Sequence, residues 1–312
     1  MTPASSLVES WTAEQHRQAT LAVFDDADSL SFAVDAKPAA LLSEVPPVYR
    51  EDEDALAFEG LTAVAGLDIS FRDSSGDEGI AVLAVLSFPE LKPLHTLTRR
   101  ISLSSTPYVH SFLSFREADH YVSLIDELRA TEGATMPQVL LVDGNGRWHP
   151  RQAGSAVAVG VKAGIPTVGI AKEYHPISPS SPPPPTSSSS GEPPPPFPSD
   201  FFSSQKSMRK ACHVLLKKRG DWLGLVPPGK QGDALSEGEG TGAEDFWGAA
   251  LFSSPSRTAT NPIFVSPGHL LSLSTSVRIA LACARESKVP EPVRRADAVG
   301  REEARRLWGT VT

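Results

Sequence analysis

Three carboxylates stand in the chain where they could do chemistry. Asp68 interrupts the apolar run that begins Val64-Ala65-Gly66-Leu67, and Asp143 ends the run Val139-Leu140-Leu141-Val142. A carboxylate held at a strand end beside apolar surface carries a desolvation cost. A divalent cation offsets that cost, because oxygen ligands suit Mg2+ or Mn2+. Taken singly, Asp143 also reads as the turn residue of Asp143-Gly144, and Asp68 as a hydrogen-bonded polar group of a strand. Glu117 closes Ser114-Phe115-Arg116-Glu117, a capping-box pattern of serine followed three residues on by glutamate. On local evidence the cap is the better reading. A helix that starts between the two aspartate strands could instead aim Glu117 at both strand ends. Three carboxylates converging there would make a metal cluster for phosphoryl transfer.

Two cationic candidates accompany them. Lys172 follows Gly169-Ile170-Ala171 and reads as a strand-end lysine reaching solvent, or as a cation for a scissile phosphate. His269 ends Val265-Ser266-Pro267-Gly268-His269. It reads as a polar group before a helix, or as a proton shuttle at the same site.

The elements that must position these groups follow from hydrophobic pattern. Residues 62–71, 79–88 and 94–103 read as three strands, and the turn residues Asp77, Glu78 and Gly79 fit an antiparallel meander. Phe115, Tyr121, Val122, Leu124, Ile125 and Leu128 give an apolar stripe at near-helical spacing. Residues 138–142 and 166–171 are short apolar strands, and the helix over 155–164 between them makes a βαβ crossover with parallel pairing. A basic helix over 205–219, strands over 247–253 and 262–266, and helices over 272–286 and 296–308 complete the pattern. Residues 1–60 read as a helix near 8–24 and a polar segment in which Glu51-Asp52-Glu53-Asp54 is a solvated face. The fold class is therefore α/β, a mixed sheet with a three-strand antiparallel meander plus parallel strands, flanked by helices.

Composition narrows the function classes. The chain has 312 residues, 40% of them hydrophobic, enough for a core. Proline is in excess at 28, but eleven prolines and seven serines fall within residues 176–198. An ordinary folded protein thus carries a local insert, and residues 177–204 are expected to be disordered, as is a glycine-rich acidic stretch over 227–244. Cys212 and Cys283 are the only cysteines, which excludes a disulfide framework and fits a reducing compartment, cytoplasmic or nuclear. No run of about 18 apolar residues predicts a membrane span. A net charge of −8 argues against a protein that coats nucleic acid through many phosphate contacts, but not against a nuclease. Residues 205–219 carry six basic residues and no acid, a solvated face or a phosphate-contacting patch.

The motifs, taken together, resemble endonuclease V, the inosine-directed nuclease family with a ribonuclease-H-like fold. The resemblance rests on GLDISF (66–71), VLSFPEL (85–91), PYV (107–109), FLSFRE (112–117), VLLVDGNG (139–146), HPR (149–151), VGIAK (168–172), VSPGH (265–269) and PEPVRRAD (290–297), in order along the folded part. It implies that Asp68, Glu117 and Asp143 are metal ligands for Mg2+, with Mn2+ able to substitute. It implies an active-site role for His269, a lysine near the cleaved phosphate at Lys172, and a supporting role for Asp297. It makes Tyr108 part of a wedge that enters the nucleic acid, and Gly144, Gly146 and His149 part of a base-pocket loop. The implied activity is hydrolysis of the second phosphodiester bond 3′ to inosine, in single-stranded or structured RNA or DNA, by a monomeric catalytic domain over residues 61–312. The chain departs from the family pattern at His110-Ser111 in the wedge, at Ala153 after the HPR string, and at Glu173, where a second lysine is common. A competing expectation is a non-catalytic inosine-binding module, recruited by a polyproline-binding partner through residues 179–198. A nuclease of the same fold acting on branched nucleic acid is a third.

Overall fold

The computed structural model describes residues 3–34, 37–44, 46–73, 76–177, 202–227, 246–256 and 261–309. In chain order these form α1 (Pro3–Leu21), β1 (Ala40–Ser43), β2 (Val48–Arg50), β3 (Ala63–Phe71), β4 (Glu78–Ser87), β5 (Pro93–Ser102), α2 (Ser114–Ala130), β6 (Val139–Asp143), α3 (Ser155–Ala163), β7 (Thr167–Ala171), α4 (Gln205–Leu215), β8 (Asp221–Leu225), β9 (Gly248–Leu251), β10 (Ile263–His269), α5 (Leu273–Cys283) and α6 (Glu291–Trp308).

One sheet collects the strands in the order β1-β2-β8-β9-β10-β7-β6-β3-β4-β5. The expected meander is β3-β4-β5, paired antiparallel. The crossover through α3 sets β6 and β7 parallel, and β6 pairs parallel with β3. The mixed α/β architecture expected from the sequence is therefore present. Register positions the chemistry: Leu67 pairs with Val142, which sets the next residues of the two strands, Asp68 and Asp143, side by side.

Both faces of the sheet are covered, so its central strands are apolar on alternate sides. Ala65, Leu67, Leu83, Val85, Leu140 and Val142 pack under Tyr121, Leu124 and Ile125 of α2 and Ala156 and Val159 of α3. On the opposite face, Ile80, Val82 and Ala84 pack under Ala296 and Ala304 of α6. There Val64, Leu141, Val168 and Ile170 share a cluster with Val277 and Leu281 of α5. The basic helix α4 buries Met208 and Cys212 against Leu223, Leu225 and Phe264. Both cysteines are buried free thiols.

Three sequence expectations need correction. The segment before residue 61 contributes two strands, and β2 pairs with β8, so it is built into the sheet edge. Glu51 is not on a solvated face: it is buried and accepts a hydrogen bond from Trp222 Nε1 at 2.9 Å. Helix α6 also starts earlier than expected, with Pro290 at its N-cap and Pro292 in its first turn, where a missing N–H costs nothing. Most of the proline–serine insert (177–204) and of the glycine-rich acidic stretch (227–244) lies outside the described residues. No described helix is long and apolar enough to cross a membrane.

Candidate active site

Asp68 sits in the middle of β3, level with the last residue of the shorter β6, and is buried. Its carboxyl is held well above the usual carboxylate range. Burial is the main cause, followed by a hydrogen bond shared with the Asp143 carboxylate, and Lys172 only partly opposes the shift. Two carboxylates this close cannot both ionise freely. Lys172, one residue past β7, places Nζ 2.6 Å from Asp143 Oδ2 and 3.9 Å from Asp297 Oδ1. Burial alone would push the Lys172 ammonium down, but Asp143, Asp68 and Asp297 together hold it above its ordinary value. Asp297 reaches this point from α6, where Arg301 pairs with its other oxygen at 2.9 Å.

Glu117 approaches from the opposite face of the sheet, in the first turn of α2. The capping box does not form. The N-cap position is Leu113, with no side-chain cap bond, and the Glu117 carboxyl instead accepts from Ser155 Oγ at 3.1 Å. Burial pushes Glu117 up to about 8 against the effect of that hydrogen bond, and the charge of Asp143 adds to the rise. The structure thus brings together Asp68, Asp143, Lys172 and Asp297, with Glu117 within electrostatic reach of Asp143. Among the described residues, however, no three His, Cys, Asp or Glu side chains form one group that could hold an ion. The expected three-carboxylate cluster is a contacting pair plus a third group that hydrogen-bonds Ser155.

By donor chemistry these residues fit a hard divalent cation, although they stand as a pair and a third group rather than as one cluster. The donors are carboxylate oxygens, and two of the three are desolvated and pushed toward the neutral form. Among the described residues, the counter-charge against the pair is the Lys172 ammonium, which is what a bound cation would add to.

A cavity of about 320 Å3 runs from this centre, and its wall includes Asp143, Lys172, Gly144, His149, Ser111 and Tyr108. Tyr108 is 65% exposed at the mouth. Gly144 has φ +139°, which side-chain-bearing residues rarely adopt, and its N–H donates to Ile170 O. His149 is buried, and Nδ1 accepts from the Arg151 N–H at 3.2 Å. That leaves the proton on Nε2, which donates to Ser111 O at 3.0 Å. Gly146 is different: it does not line the cavity, and a Cβ there would lie 2.3 Å from Pro267 O. Its lack of a side chain serves the close approach of the loop to β10.

His269 is not brought to the site. Strand β10 runs antiparallel to β7, so His269 lies opposite Thr167 while Phe264 lies opposite Ala171, the residue before Lys172. His269 Nδ1 accepts from the Val23 N–H at 3.2 Å and serves the packing of the N-terminal segment. Sequence reasoning missed four contributors. Ser155 is the partner of Glu117, and Tyr121 is buried within electrostatic reach of all three carboxylates. Ser114 lines the cavity, its hydroxyl buried with no hydrogen-bond partner among the described residues. Gln15 lines it from α1. Only Tyr121 had a signal, an aromatic one turn beyond Glu117 on the same helix.

Known proteins resemble this chain in sequence and in fold. The family model for endonuclease V matches residues 48–194 and 227–298. Human endonuclease V is 36% identical over 253 residues, covering 81% of this chain and 75% of that protein. The crystal structure of the human catalytic domain superposes with a TM-score of 0.72 at 32% identity, covering 97% of this chain and 98% of that one. The Ciona intestinalis endonuclease V, solved with a 24mer DNA containing an inosine followed by a ribo-adenosine, gives 0.68 at 25% identity, with 97% and 99% covered. A family model that takes in most of the chain, beside a relative this similar over four-fifths of it, makes this protein a nuclease of the endonuclease V family.

Proposed function

We propose that this nuclease binds inosine in RNA or DNA, single-stranded or structured, and hydrolyses the second phosphodiester bond on the 3′ side with Mg2+, Mn2+ substituting. The observation that carries the reading is one cavity lined both by the exposed Tyr108 and by Asp143 and Lys172. A base-sized recess and a phosphate-cutting centre therefore share one wall. At about 320 Å3 it lies at the small end of ligand pockets, ~300–1,000 Å3. The Ciona relative was solved with inosine-containing DNA, which supports the choice of base.

The residues divide the work. A base must leave its stack to be read, at a cost of a few kcal/mol, and the exposed Tyr108 ring is placed to fill the gap. The Gly144 backbone, with no Cβ in the way, lets main-chain groups meet the base edge. Lys172 Nζ, held by Asp143 and Asp297, meets the phosphate and stabilises the negative charge that develops there. Asp68 and Asp143 would hold a divalent cation, with Glu117 the next carboxylate. Such a cation supplies Lewis-acid polarisation of phosphate oxygens and lowers the pKa of water. The apolar cluster around Tyr121 keeps the carboxylates dry, so each charge counts for more than it would in water.

The test is cleavage of one labelled strand, as RNA and as DNA, with and without a single inosine, in Mg2+, Mn2+ or EDTA. Inosine-dependent cutting is expected in at least one strand type, with loss of cutting in EDTA. Asp143→Asn should abolish cutting while leaving the circular dichroism spectrum intact. No inosine-dependent cut in either strand type sinks the proposal.

A further inference from the structure

Helix α1 contributes a buried polar side chain to the cavity although it lies outside the residues the family model matches. Gln15 is 1% exposed, and every hydrogen-bonding group it has on that face is engaged. Nε2 donates to Ser111 O at 3.2 Å and to Ala153 O at 3.1 Å, while Oε1 accepts from Arg151 Nε at 2.5 Å. The Ser111 carbonyl is the common point. It accepts also from Arg151 Nη2 at 2.8 Å and from His149 Nε2 at 3.0 Å. Three donors from α1 and from the loop after β6 therefore meet one backbone oxygen, three residues from Tyr108.

Aromatic contacts hold the same place. Trp11, one turn before Gln15, stacks on Phe115 with centroids 4.8 Å apart and planes 8° apart, and touches Phe112 at 5.8 Å. The Arg151 guanidinium lies 4.1 Å over the Phe112 ring. Ser111 itself has φ +66°, a conformation a serine adopts only when its surroundings impose it. The loop carrying Tyr108 thus has a left-handed residue at its base, and Gln15, Arg151 and His149 hold the carbonyl of that residue.

We propose that Gln15 is a positioning residue for base recognition, holding Ser111 so that the Tyr108 ring stands at the cavity mouth. This makes α1 part of the recognition machinery, and it rests on the proposed function above. Gln15 acts through Ser111 and Arg151 rather than on the reacting phosphate. Its loss should therefore raise the cost of unstacking a base without slowing the cut of a base already unstacked.

The experiment uses Gln15→Ala and Gln15→Glu in the full chain. Glutamate keeps the acceptor for Arg151 but lacks both donors. Two inosine strands are compared, one with inosine inside a base-paired stem and one with inosine flanked by abasic spacers, so that no stack remains. Gln15→Ala should raise KM roughly tenfold on the stem and clearly less on the spacer substrate, with kcat on both near wild type. Gln15→Glu should fall between. A change that moves both substrates together would mark a structural role only and overturns the proposal. Independently of any cleavage, hydrogen–deuterium exchange of the free protein should show faster exchange over residues 107–113 in Gln15→Ala, with residues 139–143 unchanged. Unaltered exchange over 107–113 overturns the positioning role even if inosine is cut. Failure of the wild type to cut inosine strikes the proposed function and leaves the exchange result to decide this one.

Discussion

His149 is kept neutral by its surroundings, and this has a measurable cost in acid. Burial pulls its pKa from 6.5 down to about 4, with Arg151 and His110 adding repulsion and the Ser111 carbonyl resisting. The unfolded chain takes up the proton near the ordinary value, whereas the folded protein refuses it until about pH 4. Stability is therefore full above about pH 6.5 and is lost as pH falls toward about 4, by about 3 kcal/mol in all. Urea unfolding at about pH 7.5 and about pH 4.5 should show this loss. His149→Asn should lose less over the same range, and an identical pH dependence in the variant would refute the assignment. The residue scale is also where the sequence misleads most readily. Ser114 and Glu117 carry a capping-box spacing, yet Glu117 turns inward to Ser155 because a buried carboxyl finds its partner across the fold rather than along the chain. Gln15 shares a helix face with Trp11 and Gln18, but a glutamine gives no sign in sequence of whether that face meets solvent or a loop.

At the scale of elements, the site depends on how closely α6 crosses β3. A Cβ at Gly66 would lie 1.9 Å from Pro292 O and 2.6 Å from Val293 N, both backbone atoms of the first turn of α6. No side-chain rotation relieves such a contact. Gly66→Ala should therefore displace α6, destabilising the protein by about 3 kcal/mol in denaturant unfolding. Cleavage should fall as well, because Asp297 rides on that helix beside Lys172. A variant as stable as wild type would show that α6 is not clamped as described. Elements of this kind were legible in the sequence to the extent that their burial was two-sided. Strands β3, β4, β6 and β7 are near-continuous apolar runs because both faces of the sheet are covered. Strands β1, β2 and β8 are three to five residues long and mixed in character, and pairing across the sheet edge makes them strands. The direction of β10 was invisible for a related reason. An apolar run has no polarity of its own, and only the antiparallel ladder with β7 carries His269 away from the carboxylates.

At the scale of the whole molecule, the proline excess separates from the chemistry. The excursion between β7 and α4 leaves at Ile177 and returns at Phe202, and both side chains pack on the same apolar cluster. Tyr174 ties the two ends together, its hydroxyl donating to Phe202 O at 2.9 Å. The chain thus returns close to where it departed, so the span between needs no fixed length. Lys172 and the carboxylate pair lie before the departure point, and Asp297 lies far beyond the return. The described contacts that place them come from outside the excursion. Deleting residues 179–198 should leave inosine cleavage within about twofold of wild type and leave the thermal midpoint unchanged or higher. The deletion must stop short of Ile177, because His175, Pro176 and Ile177 form part of the cavity wall. Extending it through these three residues should raise KM, because it removes part of the cavity wall and the His175 carbonyl that accepts from Trp148 Nε1. Cleavage lost with the shorter deletion would mean that the proline-rich segment itself reaches the substrate, and single-turnover rates on the same inosine strand distinguish the two outcomes.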